Sequence, residues 1–389
     1  MSKVLLLDTG FSALPIYEHL LAAGHEVIVC GGNPDDCLAR TVSAYRQLDY
    51  SQHTALASLI GELAIDFVVP GCNDRSYEAG SAVLDAVPGT CMDRPQVTRA
   101  LNDKGEFRRL ARRLGVPAPE VLAWGEHAGE GVLVPDQPLI VKPVDGYSGR
   151  GVTVLRRPDA ASLAAARDVA ARASRAGDVV VETFVEGQLF SHSAFIAGGA
   201  IAVDFIVREY CSANPFVVDT SFVDRSLPSA LVDQLRRHVL AIAADLGLLD
   251  GLFHTQFIVD GDRFWFIEVT RRCPGDLYAH LIESSTGYPY VQAYINGFIG
   301  QPLPPIPSGA CRSLVVRHTV SSSAETVFQA LCPQLPLPIS RYVPLCRAGD
   351  RVPASPFGRM GVLFMQARSE GELDDIVQRA VSRRLLDCG

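Results

Sequence analysis

A surplus of positive charge is missing from this sequence. Its 389 residues include 35 Lys and Arg against 43 Asp and Glu, which gives a formal net charge of −8. Nucleic-acid-binding proteins usually present a basic surface, so nucleic acid is not an expected partner. The one dense basic run has helical spacing and predicts a solvated helix face. It consists of Arg108, Arg109, Arg112 and Arg113.

Long apolar runs and metal-type cysteine spacing are missing as well. No stretch approaches the roughly 20 apolar residues of a membrane span, and the N-terminal run is too short for a secretory signal. None of the ten cysteines forms a C-x-x-C pair or has histidine partners at zinc spacing. Scattered thiols are typical of the reducing cytoplasm. We therefore expect a cytoplasmic protein with no membrane partner. Cys273 has no base nearby in the sequence and is not an expected nucleophile.

The first 95 residues are predicted to form a Rossmann-like domain. Apolar runs at 4–7, 27–30 and 67–69 alternate with helical patterns, which is typical of a parallel sheet with crossover helices. The first turn lacks G-x-G-x-x-G, so dinucleotide binding is not expected. Ligands of such sheets bind at the carboxyl ends of strands. The candidates for substrate contacts there are Thr9, Gly10, Asn73 and Asp74. Structural roles in turns and helix caps would explain these residues equally well.

Residues 96–300 are predicted to form a second domain. It begins with a helix at 96–114 and contains two hairpins, at 139–155 and 252–270. Four prolines between 302 and 307 then mark a linker.

Residues 301–389 are predicted to form a small α/β subdomain that ends in a helix from Ser369. No internal repeat or low-complexity segment is evident. The predicted fold class is therefore α/β, in three domains.

The first hairpin combines a lysine with a glycine-rich tip. Lys142 ends its first strand, and the tip reads Asp-Gly-Tyr-Ser-Gly-Arg-Gly. Glycines let backbone N–H groups wrap phosphate oxygens, and a lysine among apolar residues needs an anionic partner. The hairpin therefore predicts a phosphate site, with an ion pair to a nearby carboxylate as the alternative for Lys142. The other candidates in the tip are Gly146, Ser148, Gly149 and Gly151.

The second hairpin predicts a metal site. With a three-residue loop at 260–262, Gln256 pairs with Phe266 and lies diagonal to Glu268 on one face. Oxygen ligands without sulfur or imidazole suit Mg²⁺. A one-residue register change would put the two side chains on opposite faces. The predicted metal ligands are Gln256, Glu268 and Thr270.

Together these segments resemble the ATP-grasp superfamily, in the family's order, from about residue 1 to 300. The resemblance implies an ATP-grasp fold behind a Rossmann-like pre-ATP-grasp domain, with a mobile central lobe at about 116–190. It also implies ATP and Mg²⁺ as cofactors, with Mn²⁺ as an alternative ion, and a homodimer. The C-terminal subdomain resembles that of amino-acid and dipeptide ligases.

The resemblance assigns roles to individual residues. Two lysines contact the nucleotide, and the hinge segment at 181–187 holds adenine. The positions concerned are Lys104, Lys142, Glu182, Phe184 and Val185. Arg272 stands at the position of the family's substrate-side arginine. Arg272 and Lys142 are the expected catalytic residues, because a guanidinium can bind a carboxylate and stabilise charge as phosphate moves.

Two positions depart from the family's pattern. Leu189 stands where the family commonly has a ribose-binding glutamate. Either Glu186 or Gln188 takes that role, or the ribose is held more loosely. The usual Glu-x-Asn metal motif ends in Thr270, which predicts weaker binding of a second ion.

The implied reaction joins a small-molecule carboxylate to an amine. The carboxylate attacks the γ-phosphorus of ATP, and the amine then attacks the acyl phosphate, which releases ADP and phosphate. One alternative is another ATP-grasp phosphoryl transfer or carboxyphosphate chemistry, although no carrier-lysine segment or glutamine-hydrolysing domain is visible. The other is a catalytically silent nucleotide-binding protein, suggested by Leu189 and Thr270.

Overall fold

The computed structural model describes residues 1–125, 136–146, 149–308 and 312–387. Those residues form three larger sheets of four, eight and four strands and two short two-stranded ribbons, with helices between them. The predicted α/β class is confirmed. No helix in the described ranges is long and apolar enough to cross a membrane.

The first sheet is parallel, as the sequence predicts. Its strands are β1 (Lys3–Leu7), β2 (Glu26–Gly31), β3 (Tyr45–Gln47) and β4 (Phe67–Pro70), in the order β3-β2-β1-β4. The helices that follow these strands are α1 (Leu14–Ala22), α2 (Cys37–Thr41), α3 (His53–Leu63) and α4 (Asp74–Ala82). Apolar residues on both faces of β1 are buried, as expected of a parallel strand covered by helices. The carboxyl ends of β1 and β4 therefore meet at one edge.

The single helix expected at 96–114 is two helices. α5 (Pro95–Asn102) and α6 (Lys104–Leu114) meet at Asp103, whose backbone is extended at φ −76° and ψ 119°. The Asp103 carboxylate accepts the N–H three residues later and caps α6. The expectation was wrong because aspartate favours the start of a helix over its interior. The break puts Lys104 in the first turn of α6.

The central lobe has its own sheet. Its antiparallel strands are β5 (Val121–Gly125), β6 (Leu139–Pro143), β7 (Thr153–Leu155) and β8 (Val179–Thr183), in the order β5-β8-β6-β7. The helix α7 (Ala160–Ala173) packs on one face through Leu163, Ala166 and Ala170. The predicted glycine-tipped hairpin is the β6–β7 pair.

The third sheet has eight strands and forms the floor of the molecule. Its first five members along the chain are β9 (Gln188–Ala197), β10 (Ala200–Tyr210), β11 (Thr220–Val223), β12 (Gly251–Asp260) and β13 (Arg263–Thr270). The helices that pack around them are α8 (Ser229–Leu246), α9 (Tyr278–Thr286) and α10 (Tyr290–Phe298). The long strands β9 and β10 lie at the centre of this half, and the sequence analysis did not assign them.

The C-terminal segment extends the same sheet. It adds β14 (Leu314–Val320), β17 (Ile339–Pro344) and β19 (Gly361–Ala367), so that the full order is β13-β12-β9-β10-β11-β14-β19-β17. The two ribbons pair β15 (Thr326–Val327) with β18 (Arg351–Val352) and β16 (Cys332–Pro333) with β20 (Leu386–Asp387). The last helix, α11 (Glu370–Val381), starts after a Ser369 cap, as predicted.

Candidate active site

One cleft of about 1470 Å³ runs between the central lobe, the eight-stranded sheet and the carboxyl ends of the first sheet. Most predicted site residues line it, namely Lys104, Lys142, Gly146, Gly149, Phe184, Val185, Gln256, Glu268 and Arg272. Three others stand behind this lining: Gly151, Glu182 and Thr270. Ser148 lies outside the described residues.

Lys142 and Glu182 form a buried ion pair, with Lys142 Nζ 2.7 Å from Glu182 Oε2. The carboxylate alternative considered for Lys142 is therefore present. Arg108 Nε lies 2.7 Å from the other oxygen of the same carboxylate. Burial lowers the pKa of Lys142, against the opposing effect of Glu182. Burial alone would raise the pKa of Glu182, but the two cations outweigh it and lower the pKa. The triad keeps a net charge of +1 at the wall of the cleft, which suits an anionic ligand.

Arg108 corrects the expectation of a fully solvated basic run. Its exposed fraction is only 4%, and it also donates to the carbonyl of Ile267 at 2.8 Å. The side chains of Arg109 and Arg113 are 62% and 59% exposed, as predicted for a solvated face. The run covers more than one side of α6, so one of its arginines points inward.

Lys104 reaches the glycine-tipped hairpin. Its Nζ donates to the carbonyl of Gly146 at 2.6 Å. Gly149 has φ +66°, and a Cβ there would lie 2.5 Å from Cβ of Phe216. Gly151 has φ +71°, and a Cβ there would lie 2.4 Å from that of Ala173. Glycine is therefore needed at both positions for the tip to lie close to the body of the protein.

The hinge after β8 carries the residues expected around adenine and ribose. Arg156 stacks over the ring of Phe184, with its guanidinium carbon 5.2 Å from the centroid, and pairs with Glu186. Gln188 Nε2 donates to the carbonyl of Glu209 at 2.7 Å. Phe184, Val185, Glu186 and Gln188 all line the cleft. Both replacements proposed for the ribose glutamate are therefore close to the hinge.

The metal-site hairpin has a different register from the expected one. Its loop has two residues, since Asp260 pairs with Arg263. A bulge at Ile267 shifts the pairing again, so that Gln256 lies directly opposite Glu268. The prediction that Gln256 pairs with Phe266 was wrong, because a bulge cannot be inferred from the alternation of apolar and polar residues alone. The shared face is confirmed, since directly paired residues point to the same side of a sheet.

The donor set of this hairpin fits a divalent cation beside a phosphate. Gln256 and Glu268 supply an amide and a carboxylate to the cleft, and Mg²⁺ typically completes its shell with phosphate oxygens and water. No group of three or more His, Cys, Asp or Glu is arranged around a metal position in the described part of the chain. Thr270 is buried, and its hydroxyl donates to Asp74 at 3.1 Å. The geometry therefore favours Gln256 and Glu268 over Thr270 as ligands.

Arg272 joins the hairpin to the first sheet. Its Nε lies 2.8 Å from Asp74 Oδ1, at the start of α4. Burial would raise the pKa of Asp74, but Arg272 outweighs it and lowers the pKa. Asn73 caps α4 by accepting from the N–H of Ser76, so its cap role is borne out. The preceding residue, Arg271, is buried and pairs with Asp93 at 2.8 Å, so it has a structural role.

Several cleft residues were missed by the sequence analysis. They are Glu209, His254 and Arg317, from the strands β10, β12 and β14, and none of the three belongs to a motif. Asp276 connects Arg317 to Arg359, since Arg359 Nε lies 3.0 Å from its carboxylate and Arg317 donates to its carbonyl at 2.9 Å. The alternating pattern of 203–209 was the available signal for β10 and for the inward position of Glu209.

Acidic side chains dominate the end of the cleft formed by the first sheet. Asp8 accepts from the N–H groups of Gly10 and Cys72, both at 2.8 Å, and burial raises its pKa. Thr9 donates to Asp36 at 2.5 Å. The other members are Asp49 and Arg75, paired at 3.0 Å. The carboxylates outnumber the cations here.

Comparison with known proteins agrees with this geometry. The model of the ATP-grasp domain matches residues 135–279. The formate-dependent phosphoribosylglycinamide formyltransferase of Bordetella bronchiseptica is 33% identical over 289 residues, 70% of this chain and 68% of the relative. That of Oleidesulfovibrio alaskensis is 27% identical over 349 residues, 84% of this chain and 83% of the relative.

Among solved structures, the L-amino acid ligase from Bacillus licheniformis has a TM-score of 0.79 at 16% identity, covering 100% of this chain and 99% of that one. This likeness supports the fold. The chain belongs to the ATP-grasp family and is an ATP-dependent carboxylate–amine ligase. The resemblance read from the sequence is thereby confirmed.

Proposed function

We propose that Lys104, Lys142, Gln256, Glu268 and Arg272 form the reaction centre of this ligase. The observation that carries the proposal is that all five line one cleft. Residues 104 and 142 belong to one side of the cleft, whereas 256, 268 and 272 follow one another along the hairpin on the floor. A triphosphate bound between the two groups would meet cations on one side and a metal on the other.

The first step is the formation of an acyl phosphate. Lys104 and Lys142 neutralise the triphosphate, and Gln256 and Glu268 hold Mg²⁺, with Mn²⁺ as a substitute. The bound metal supplies charge neutralisation for the phosphates. Arg272 holds the substrate carboxylate in line with the γ-phosphorus, where one carboxylate oxygen forms the new P–O bond and ADP leaves. The glycine tip covers the phosphates and excludes water.

The second step transfers the acyl group to the amine. The acceptor attacks as the free amine, after its ammonium group has lost a proton to solvent. The amine nitrogen forms the new C–N bond, the C–O bond to phosphate breaks, and the second N–H proton leaves to phosphate or solvent. Arg272 stabilises the oxyanion of the tetrahedral intermediate. No protein nucleophile takes part, which agrees with the burial of Cys273.

The acceptor is proposed to carry an ammonium group. The acidic end of the cleft, at the carboxyl ends of the first sheet, contains Asp8, Asp36 and Asp49 against Arg75. An excess of carboxylates attracts a cationic amine and disfavours an anion. An amino acid fits this end better than a phosphorylated amine such as phosphoribosylglycinamide. Arg317 and Arg359 offer the amino acid's carboxylate a place beside it, since their partner Asp276 is hydrogen-bonded to Ser12 in the segment after β1.

An ADP-release screen tests this function. Formate and pooled amino acids serve as carboxylates, and amino acids, simple amines and phosphoribosylglycinamide serve as acceptors, with product identification by mass spectrometry. Hydroxylamine in place of the acceptor traps the acyl phosphate as a hydroxamate. We expect a hydroxamate with the true carboxylate, and an amide product with an amino acid or a simple amine but not with phosphoribosylglycinamide. ATP binding with no ADP release from any pair would favour the silent nucleotide-binding protein.

Assembly and compartment are also proposed here. The family resemblance implies a homodimer, which light scattering of the purified chain tests directly. Seven cysteines among the described residues are free thiols, namely Cys30, Cys37, Cys72, Cys91, Cys211, Cys273 and Cys332. This agrees with the proposed cytoplasmic location.

A further inference from the structure

Gln256 differs chemically from a glutamate ligand in one respect. Both oxygens of a carboxylate can bind a metal, whereas an amide has one oxygen and one NH₂ group of nearly the same shape. An amide that turns its NH₂ group toward the cation offers no lone pair and adds a repulsive dipole. A glutamine ligand therefore needs a neighbour that fixes its orientation.

Glu209 is placed to fix that orientation. Gln256 Nε2 donates to Glu209 Oε2 at 2.7 Å, from the neighbouring part of the same sheet. Glu209 is 4% exposed and still borders the cleft. Its carboxylate accepts and cannot donate when ionised, so it selects the NH₂ side of the amide. The Oε1 atom is then the only amide atom left for a ligand on the other side.

The strand register keeps the two side chains in contact. Gln256 pairs with Ser191 on β9, and Leu189, two residues earlier on β9, pairs with Glu209 on β10. Gln188 donates to the backbone carbonyl of residue 209 and anchors that end of β10. The side chain of Glu209 is almost fully buried, which is costly for a carboxylate without hydrogen-bond partners, and the Gln256 amide is one of its donors.

We propose that Glu209 is a positioning residue that holds the Gln256 amide with its oxygen toward the divalent cation. The inference rests on the metal site of the proposed function. It assigns to Glu209 no direct contact with the metal or the substrates. Outer-sphere partners of metal ligands typically change metal affinity by about 10-fold to 100-fold when they are removed.

Metal binding to the full-length protein provides the test. Mn²⁺ is titrated by electron paramagnetic resonance in the presence of a β,γ-methylene analogue of ATP, so that no turnover is needed. Glu209→Met removes the acceptor at similar size, and we expect about 10-fold weaker Mn²⁺ binding. Glu209→Gln leaves one acceptor oxygen, and we expect an intermediate loss of about 3-fold. Melting temperatures check folding, and the Gln variant carries the test if the Met variant does not fold.

The matched control is the same change in a background that needs no orientation. In Gln256→Glu, either ligand oxygen serves, and two carboxylates face each other. Adding Glu209→Met to this variant is expected to leave Mn²⁺ affinity unchanged or to raise it. A loss of about 10-fold in both backgrounds would overturn the proposal, because it would indicate a direct ligand or a general structural role.

The Glu268→Ala variant distinguishes a failure of the proposed metal site from a failure of the proposed role of Glu209. Unchanged Mn²⁺ affinity in Glu268→Ala would contradict the proposed metal site and the orientation with it. Weakened binding in Glu268→Ala together with unchanged binding in Glu209→Met would contradict the orientation alone.

Discussion

The two ends of the cleft carry opposite charge. At the nucleotide end, three cations, Lys104, Lys142 and Arg108, meet one carboxylate, Glu182, for a formal net charge of +2. At the acceptor end, four carboxylates meet three cations, for a formal net charge of −1. The carboxylates are those of Asp8, Asp36, Asp49 and Asp276, and the cations are Arg75, Arg317 and Arg359. Arg272 and Asp74 form a neutral pair between them. The difference indicates that one continuous space is divided electrostatically, so that a triphosphate and an ammonium each have a preferred end.

The two ends are also held in different ways. At the nucleotide end, the charges are held by ion pairs between segments far apart in the chain, such as Arg108 with Glu182. At the acceptor end, Asp8 is held by backbone N–H groups instead of an ion pair, namely those of Gly10 and Cys72 in the turns after β1 and β4. Substitutions at the first end should therefore affect both catalysis and stability, whereas those at the second should affect mainly substrate affinity.

The largest expected effect is the loss of the phosphate-binding charge. Lys142→Ala should reduce ADP formation by about 10³-fold or more, because charge stabilisation at the transferred phosphate is lost. Glu268→Ala should do the same through the metal. Glu182 retains Arg108 as a partner in Lys142→Ala, so the protein should remain folded. ADP release and thermal melting measure the two properties, and full activity in both variants would refute the site assignment.

The second effect concerns stability at the nucleotide end. Glu182→Gln leaves two buried cations facing a neutral amide, and we expect a loss of about 3–5 kcal/mol in the free energy of unfolding. The matched control is Glu186→Gln in an ion pair whose side chains are 65% and 63% exposed, where we expect a change below about 1 kcal/mol. Urea denaturation without nucleotide measures both. Equal losses in the two variants would contradict the distinction.

The third prediction isolates the pH dependence of the fold from that of the cleft. Burial lowers the pKa of His318 from 6.5 to about 4. Between about pH 6.5 and pH 4, His318 therefore binds a proton in the unfolded chain but not in the folded chain. The free energy of unfolding falls as the pH falls below 6.5. We expect a loss of about 2 kcal/mol from this residue between about pH 7 and about pH 5. Urea denaturation at both values should show a shallower loss in His318→Asn.

The smallest expected effect lies at the acceptor end. Asp36→Asn removes one of the carboxylates, and we expect the KM for an ammonium-bearing acceptor to rise about 3-fold to 10-fold, which corresponds to about 1 kcal/mol. The KM for ATP should not change, because the hydrogen bonds of Asp36 go to Thr9 and Asn33 beside the first sheet and not to the phosphate-binding lysines. Steady-state kinetics with each substrate varied in turn measure the split. A larger change in the KM for ATP than for the acceptor would reverse the proposed arrangement of the two ends.

The sequence was sufficient for the features that local patterns encode. The apolar runs predicted the parallel sheet, and the turn residues predicted both hairpins. Lys142 next to a glycine-rich tip and Glu268 on the second hairpin are each part of a short continuous segment. Their phosphate-binding and metal-binding roles could be predicted because the residues that indicate these roles are neighbours in the sequence.

The features that escaped prediction depend on distant partners or on small backbone irregularities. Arg108 is buried because Glu182, 74 residues away, lies over that side of α6. The role proposed for Glu209 depends on its hydrogen bond with Gln256, 47 residues away on another strand. The bulge at Ile267 shifts the strand pairing by one residue, and at Asp103 one helix ends and the next begins. Apolar periodicity does not resolve irregularities of a single residue.

The eight-stranded sheet has a consequence for how the molecule can come apart. Because β14 hydrogen-bonds to β11, the last three strands share an unbroken backbone ladder with the strands that carry the reaction centre. Truncation before β14 would leave the backbone N–H and C=O groups on one side of β11 unpaired. An exposed strand edge of this kind promotes self-association. The C-terminal segment thus covers an edge that the eight-stranded sheet would otherwise expose, a task that the separate sheet of the central lobe does not share.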